Sequence, residues 1–120
     1  MVINKKNEMF LVNLIVNVYN GEKYLRETLS SLVEQDYTEL HIHCIDNHST
    51  DSTVQIINEF SSVNSNIFIY QTPLHMPVVE ARLFAIDQIL MQQNKPFYFG
   101  FCDADDLWNT KWVSTLMSFA

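Results

Sequence analysis

The run Met9-Phe-Leu-Val-Asn-Leu-Ile-Val-Asn-Val-Tyr19 is almost continuously apolar and rich in β-branched and aromatic residues. Such a run is typical of a central parallel strand that is covered by helices on both faces. The dipeptide Asn20-Gly21, a turn signal, follows it directly. The sequence therefore predicts a buried strand over residues 9–19, at the centre of a sheet.

Helical and strand-like patterns alternate along the chain after this strand. Residues 22–35 carry apolar side chains at the spacing of an amphipathic helix, namely Leu25, Leu29, Leu32 and Val33. The other predicted elements are strands over residues 41–45, 66–70 and 97–102, and helices over residues 53–60, from Pro77 to about residue 93, and within residues 108–119.

The second and third helices are predicted with particular inward faces. Ser52 and Gln55 have the spacing of a capping box at the start of the second helix. The side chains expected to point inward from this helix are Val54, Ile57 and Phe60. The apolar stripe predicted for the third helix consists of Val79, Leu83, Ile86, Ile89 and Leu90, and Pro96 marks the end of that helix.

Alternating strands and helices imply a parallel sheet with right-handed crossovers, so we predict a three-layer α/β fold. The strand order that we expect for it is 3-2-1-4. In such sheets ligands bind beyond the carboxyl ends of the strands, where the strand order reverses. The polar clusters after strands one, two and four all fall at this edge. Cys44 and Cys102 would lie on strands two spacings apart, roughly 9.5 Å, which is too far for a disulfide.

Length, composition and charge exclude several classes of protein. A chain of 120 residues, 48% of them hydrophobic, fits one globular domain rather than a disordered or collagen-like chain. The net charge of −7 argues against nucleic acid as a partner. Two cysteines without C-x-x-C spacing indicate a reducing, cytoplasmic location. No apolar run is long enough to span a bilayer. Contact of a longer parent protein with the cytoplasmic face of a membrane is left open.

Asp103, Asp105 and Asp106 form an acidic turn directly after the fourth predicted strand. Carboxylates this close repel one another unless a cation neutralises them, and oxygen ligands suit Mg²⁺ or Mn²⁺. Such a metal typically bridges protein carboxylates to phosphate. The alternative is a solvated turn in which one aspartate caps the following helix.

The second polar cluster, Asp46-Asn-His-Ser-Thr-Asp51, follows the second predicted strand. A carboxylate at Asp46 can accept a hydrogen bond from a nucleobase or a ribose hydroxyl, while the alternative is ordinary turn and capping chemistry.

Arg82 interrupts the apolar stripe of the third helix, where its guanidinium is suited to a diphosphate or, alternatively, to a neighbouring acid. His41 and His43 share one face of a strand, as a metal-chelating pair or as packed strand residues.

These segments resemble the nucleotide-binding half of family 2 glycosyltransferases, which have the GT-A fold. Leu14-Ile-Val-Asn-Val-Tyr-Asn-Gly-Glu-Lys-Tyr-Leu25 is similar to the family's opening I-I-V-P-V-Y-N-x-x-x-Y-L. Ile45-Asp-Asn-His-Ser-Thr-Asp51 is similar to V-D-D-G-S-T-D, and Phe101-Cys-Asp-Ala-Asp-Asp-Leu-Trp108 to F-L-D-A-D-D-x-W. Glu80-Ala-Arg82 matches the alanine-arginine pair that the family places between them.

The resemblance implies a role for each matching residue. Tyr19 would help to form the base pocket, Asp46 would hold the nucleobase, commonly uracil, and Arg82 would approach the nucleotide. Asp103 and Asp105 are the D-x-D pair. Asp103 would contact the ribose or the metal-bound nucleotide, and Asp105 would ligate the Mn²⁺ or Mg²⁺ on the diphosphate.

The sequence also departs from the family pattern within these motifs, in ways that bear on the base-binding turn and on the choice of donor. The departures are Asn17 for proline, Asn47 for the second aspartate, His48 for glycine, His75-Met-Pro77 for Asn-Gly-Gly, and Leu83 for asparagine.

The resemblance implies that the protein transfers a sugar from a nucleoside-diphosphate donor to an unknown glycan, lipid or protein acceptor. UDP is the expected nucleotide, and the transfer is expected to invert the anomeric configuration. The pathway expected is polysaccharide biosynthesis. The catalytic base lies downstream of the acidic turn in the family. We therefore expect residues 1–120 to be the nucleotide-sugar-binding portion of the domain, truncated before the acceptor-binding half.

Two alternatives to this function remain. The expected truncation also predicts which apolar side chains are exposed. One alternative is a non-catalytic nucleotide-sugar-binding fragment, and the other is a response-regulator-like domain. The truncation predicts self-association through exposed Trp112, Leu116 and Phe119.

Overall fold

The computed structural model describes residues 10–92 and 97–119, and it confirms the predicted alternation of strands and helices. Met9, residue 93 and Pro96, which belong to predicted elements or their ends, lie outside the described residues. The elements in chain order are β1 (Leu11–Val18), α1 (Leu25–Val33), β2 (Leu40–Asp46), α2 (Thr53–Val63), β3 (Ile67–Gln71), α3 (Val78–Leu90), β4 (Phe97–Asp103) and α4 (Trp112–Met117).

The four strands form one parallel sheet in the order β3-β2-β1-β4, as predicted. Val16 in β1 lies between Cys44 of β2 and Cys102 of β4. Both cysteines are buried and free, so the expectation that they do not bridge is confirmed. The carboxyl ends of β1, β2 and β4 meet at one edge, because Val18 is opposite Asp46 and Asn17 is opposite Asp103.

The strand β1 is buried on both faces because helices cover both sides of the sheet. Its even-numbered residues, such as Val16, pack in a core with α1, α2 and α4, where Leu29 and Ile57 are fully buried. Ile15 and Ile45 face the other way and pack against α3. This three-layer arrangement explains why the opening run of sequence is apolar without alternation.

The helix α1 begins three residues later than predicted, and the start of α2 differs in its capping. Gly21 closes a turn in which its carbonyl accepts from the amides of Tyr24 and Leu25. The predicted capping box at Ser52 is wrong, because the Ser52 side chain makes no capping hydrogen bond. Asp51 instead accepts from the Thr53 amide at 2.9 Å. The buried residues of α2 are Thr53, Ile56 and Ile57, while Val54 and Phe60 are half-buried.

The inward face predicted for α3 is wrong in most of its positions. Val79, Leu83 and Leu90 are 66%, 57% and 49% exposed, and Ile86 is half-buried. Of the predicted stripe only Ile89 is buried. The face that packs on the sheet consists of Ala81, Ala85 and Ile89. Small side chains let a helix lie close to a sheet. Because α3 carries apolar residues on two of its faces, the sequence pattern does not reveal which face is buried.

The helix α4 is shorter than the segment predicted for it. Val113 and Met117 are buried, Trp112 is half-buried, and Leu116 and Phe119 are exposed beside an apolar groove of about 300 Å³. The expected exposure therefore holds for two of three side chains, and self-association through them stays a prediction. None of the helices among the described residues has the length and apolar character needed to cross a membrane.

Candidate functional site

An open cavity of about 440 Å³ lies at the carboxyl edge of the sheet, between the ends of β1 and β4. Its position agrees with the general rule for ligand sites in parallel sheets. Of the five residues that the sequence assigned to this site, Tyr19, Asp103 and Asp105 line the cavity, whereas Asp46 and Arg82 do not. The residues that line the cavity are Asn17, Tyr19, Asn20, Gly21, Tyr24, Asp103, Ala104 and Asp105.

Three carboxylates converge at the β4 side of the cavity. Asp103 ends the strand, Asp105 and Asp106 follow in the turn, and one oxygen from each lies within 4.8 Å of the others. All three are exposed. The turn is anchored to α1 because the Thr28 hydroxyl donates to the carbonyl of Ala104 at 2.8 Å. An all-oxygen set of this kind fits Mg²⁺ or Mn²⁺.

Arg82 is the cation that lies beside this acidic turn. Its Nη2 is 3.9 Å from Oδ1 of Asp103, and its guanidinium lies over the Phe101 ring, 4.9 Å from the centroid. The long, half-exposed ion pair is of the weak kind, so it leaves the guanidinium free to meet an anion. The structure thus brings Arg82 to the same edge as the carboxylates.

Tyr19 follows β1 directly and is 51% exposed. Its ring contacts the His75 ring, with centroids 4.4 Å apart and planes inclined by 60°. The sequence predicted a place for Tyr19 at the site but did not predict its partner, since 55 intervening residues separate them in the chain.

Asp46 ends β2 next to the cavity but does not line it. The residue is 2% exposed, and its Oδ1 accepts from the Ser49 amide at 3.3 Å. A contact between this carboxylate and a nucleobase stays a prediction, because in this structure the carboxylate serves its own turn.

The turn after β1 and the turn after β2 are joined by hydrogen bonds that sequence reasoning missed. The Asn20 amide donates to the Ser49 hydroxyl at 2.9 Å, and the Asn20 side chain accepts from the Thr50 amide at 2.8 Å. The Gly21 amide donates to Oγ1 of Thr53 at 2.9 Å. The polar clusters therefore brace each other as well as facing the cavity.

A reciprocal pair completes this brace. The Glu22 amide donates to Oδ2 of Asp51 at 3.2 Å, and the Ser52 amide donates to Oε2 of Glu22 at 3.0 Å. Burial acts to raise the pKa of Asp51, but hydrogen bonds from Thr53 and Glu22 outweigh it and leave that pKa below its ordinary value. The charged carboxylate is thus the form that fits this turn.

Backbone geometry at the two turns limits which residues they accept. A Cβ at Gly21 would lie 2.7 Å from Cγ1 of Val18, which is fully buried. Asn20 and His48 have φ values of 48° and 67°, in the left-handed region. Asparagine and histidine enter that region more often than most residues, but glycine adopts it without the steric cost of a Cβ.

His43 in β2 is buried, and both of its ring nitrogens have hydrogen-bond partners. His43 is 3% exposed, and its ring nitrogens lie 2.8 Å from Oδ1 of Asn13 and 3.1 Å from the Tyr70 hydroxyl. Its ring stacks on Phe68. Burial, with a smaller contribution from His41, lowers the pKa of His43 to about 4, so the ring is neutral at pH 7. The packed-strand interpretation describes His43.

The chain is similar to known proteins over nearly all of its length. An uncharacterized glycosyltransferase of Haemophilus influenzae is 28% identical over 109 residues, which are 91% of this chain and 32% of that protein. The crystal structure of Staphylococcus aureus TarS 1-349 in complex with UDP-GlcNAc is 31% identical with a TM-score of 0.77. That likeness covers 92% of this chain and 31% of the TarS chain.

A more distant solved structure shares the fold. It is the mannosyltransferase PcManGT from Pyrobaculum calidifontis in complex with GDP-Man and Mn²⁺, with a TM-score of 0.69 at 23% identity over 88% of this chain and 30% of that one. The chain spans about a third of the length of each of these proteins.

The likenesses confirm the predicted α/β fold class and favour the glycosyltransferase interpretation over the response-regulator-like alternative. The family model described as Glycosyl transferase family 2 matches residues 14–120. With motifs, sheet order and family model in agreement over nearly the whole chain, the protein belongs to glycosyl transferase family 2.

Proposed function

We propose that this chain binds the nucleoside-diphosphate sugar of a glycosyltransferase through a divalent cation. The observation that carries the proposal is the convergence of the carboxylates of Asp103, Asp105 and Asp106 beside Arg82, at the carboxyl edge of the sheet. Three like charges need a counter-charge, and a metal–diphosphate unit supplies a cation for the acids and an anion for the arginine.

UDP is the nucleotide that we propose for this site. TarS, whose solved complex contains UDP-GlcNAc, is 31% identical over 92% of this chain. Tyr19 offers a half-exposed ring on the cavity wall, which suits a base, and Asp46 lies at the end of the adjacent strand. We assign Tyr19 and Asp46 to the base side of the donor and Asp103 to its ribose or metal side.

The proposed cofactor is Mn²⁺ or Mg²⁺, held by Asp105 with Asp103. When bound, such a cation neutralises the diphosphate and so makes it a better leaving group. Arg82 would meet the diphosphate oxygens from α3, with its guanidinium kept in place by the face of the Phe101 ring. The Thr28 contact to Ala104 holds the acidic turn at a fixed distance from α1.

The activity of the whole protein is part of the same proposal, because the chain spans about a third of its relatives. We propose that residues 1–120 are the donor-binding portion of the domain and that the catalytic base and the acceptor site lie outside them. Transfer with inversion, a role in polysaccharide biosynthesis and a cytoplasmic location are proposed with it. The alternative is a portion that binds the donor without transferring the sugar.

Calorimetric titration with UDP, with and without Mn²⁺, tests the donor site. We expect UDP to bind more tightly when Mn²⁺ is present, and we expect Asp105→Asn to abolish that difference. Asp87→Asn is the matched control, because Asp87 is an exposed aspartate on α3 and lies outside the acidic turn. UDP binding that is absent, or equal with and without Mn²⁺ in the folded wild-type protein, would contradict the proposal.

A further inference from the structure

The side chain of Asn47 fastens the loop that connects β3 to α3. Asn47 is 2% exposed, and its amide donates to the Met76 carbonyl at 2.6 Å. Its Oδ1 accepts from the Met76 amide at 3.0 Å and from the Thr72 hydroxyl at 3.3 Å. One buried side chain thus holds both ends of the loop over residues 72–77.

This contact requires a side-chain amide rather than a carboxylate. A carboxylate has no proton to donate, so an aspartate at position 47 would place an acceptor against the acceptor carbonyl of Met76. The sequence departs from the family pattern at Asn47 and again at His75-Met-Pro77, and in the folded protein these two departures touch each other. The two changes are therefore structurally coupled.

The fastened loop sets the position of His75. Nδ1 of His75 lies 3.1 Å from the Asn47 carbonyl, which only accepts, so this nitrogen is the donor. The ring is exposed and contacts Tyr19, the residue that lines the cavity together with Asp103 and Asp105. The ring centroids, 4.4 Å apart, leave no room for a base between the rings, but their outer surface is free to pack against one.

We propose that Asn47 positions His75 so that His75 and Tyr19 together form an aromatic wall that contacts the nucleotide's base. The inference rests on the proposed function, since it assumes that the cavity binds a nucleotide. Tyr19 is the ring that the family motif supplies. His75 is the added ring, a determinant of base recognition, and Asn47 is a positioning residue that acts through the loop.

The test compares two ligands that share a diphosphate, of which only UDP also carries a ribose and a base. Binding of UDP and of inorganic pyrophosphate, each with Mn²⁺, is measured by calorimetry for wild type, His75→Ala and Asn47→Ala. Removing one stacking ring should weaken UDP binding roughly tenfold, while pyrophosphate binding stays unchanged. Leu74→Ala is the control, because Leu74 is an exposed residue of the same loop. We expect this control to leave both affinities unchanged.

Unchanged UDP affinity in His75→Ala, or an equal loss for both ligands, would overturn the inference while the proposed function stands. A folded wild-type protein that fails to bind UDP would overturn the proposed function and the inference with it. If Asn47→Ala loses its far-UV circular dichroism spectrum, His75→Ala decides alone, because the side chain of His75 is exposed and its removal leaves the core intact. If pyrophosphate binds too weakly to measure, the UDP affinities of His75→Ala and Leu74→Ala decide.

Discussion

His48 is a single residue whose backbone conformation favours glycine, the residue that the family pattern has there. A φ of 67° costs a non-glycine residue about 1 kcal/mol or more. Glycine avoids this cost but loses more backbone entropy on folding, which offsets part of the gain. We expect His48→Gly to raise the free energy of unfolding by about 0.5–1 kcal/mol. Calorimetric melting would show this as a rise of a few degrees in Tm.

A helical position supplies the control for that substitution. Gln55→Gly replaces an exposed residue within α2, where glycine should lower stability by about 1 kcal/mol or less. A fall in Tm for His48→Gly as large as that for Gln55→Gly would show that the left-handed conformation at residue 48 carries no strain.

His43 makes stability depend on pH. Its pKa falls from 6.5 to about 4 in the folded protein, chiefly through burial, so on acidification the unfolded chain takes up the proton first. The stabilisation is complete above pH 6.5, declines as the pH falls from 6.5 to about 4, and is then lost. At 1.36 kcal/mol per pKa unit the whole effect is about 3 kcal/mol.

Urea unfolding between pH 7.5 and pH 4.5 measures this dependence. We expect His43→Gln to lower stability at neutral pH and to flatten the decline, since glutamine takes up no proton in this range. His41→Gln is the comparison, because His41 lies on the same strand but is only half-buried, with its pKa lowered chiefly by burial as well. An equally steep decline in wild type and His43→Gln would assign the acid sensitivity to carboxyl groups instead.

At the scale of elements, a brace of hydrogen bonds joins the turn after β1 to the turn after β2. Asp51 joins the two turns, since it caps α2 at Thr53 and accepts from the Glu22 amide. We expect Asp51→Ala to lower the free energy of unfolding by about 1–2 kcal/mol, as for other lost helix caps. Urea unfolding monitored by circular dichroism measures the loss.

Glu59→Ala serves as the comparison for this substitution. Glu59 forms an ion pair with Arg26 that joins α1 to α2. Its removal therefore also breaks a contact between these two helices, but the side chains of this pair are exposed. We expect a smaller loss for Glu59→Ala than for Asp51→Ala. The reverse order would show that the cap and the brace contribute little.

Local patterns predicted the strands and helices, because continuous apolar strands and turn residues are recognised over short stretches of chain. The buried face of α3 was not predictable in the same way. Val79, Leu83 and Leu90 have helical spacing, yet Ala81 and Ala85 face the sheet because small side chains allow close approach. The choice between two apolar faces depends on what each face meets, which is tertiary information.

At the scale of the whole molecule, the site also divides into features that neighbouring residues predict and features that only tertiary contacts determine. The acidic turn was predictable, because Asp103, Asp105 and Asp106 are neighbours in sequence and remain neighbours in space. The contact between Tyr19 and His75 was not, because it depends on the path of a loop that Asn47 fixes from a third segment. Sequence motifs thus identified the acidic side of the cavity and Tyr19, and the folded chain added His75 as the partner of Tyr19.

The position of β1 in the sheet has a consequence for the order of folding. Leu11, in the first strand of the described chain, pairs with Phe97, in the last, so most of the chain forms a loop that must close before β4 can dock. Pairings this distant in sequence form slowly compared with local helices. We therefore expect the acidic turn at the end of β4 to take its place late, and during synthesis on the ribosome the cavity between β1 and β4 can be completed only after β1, β2 and β3 have emerged.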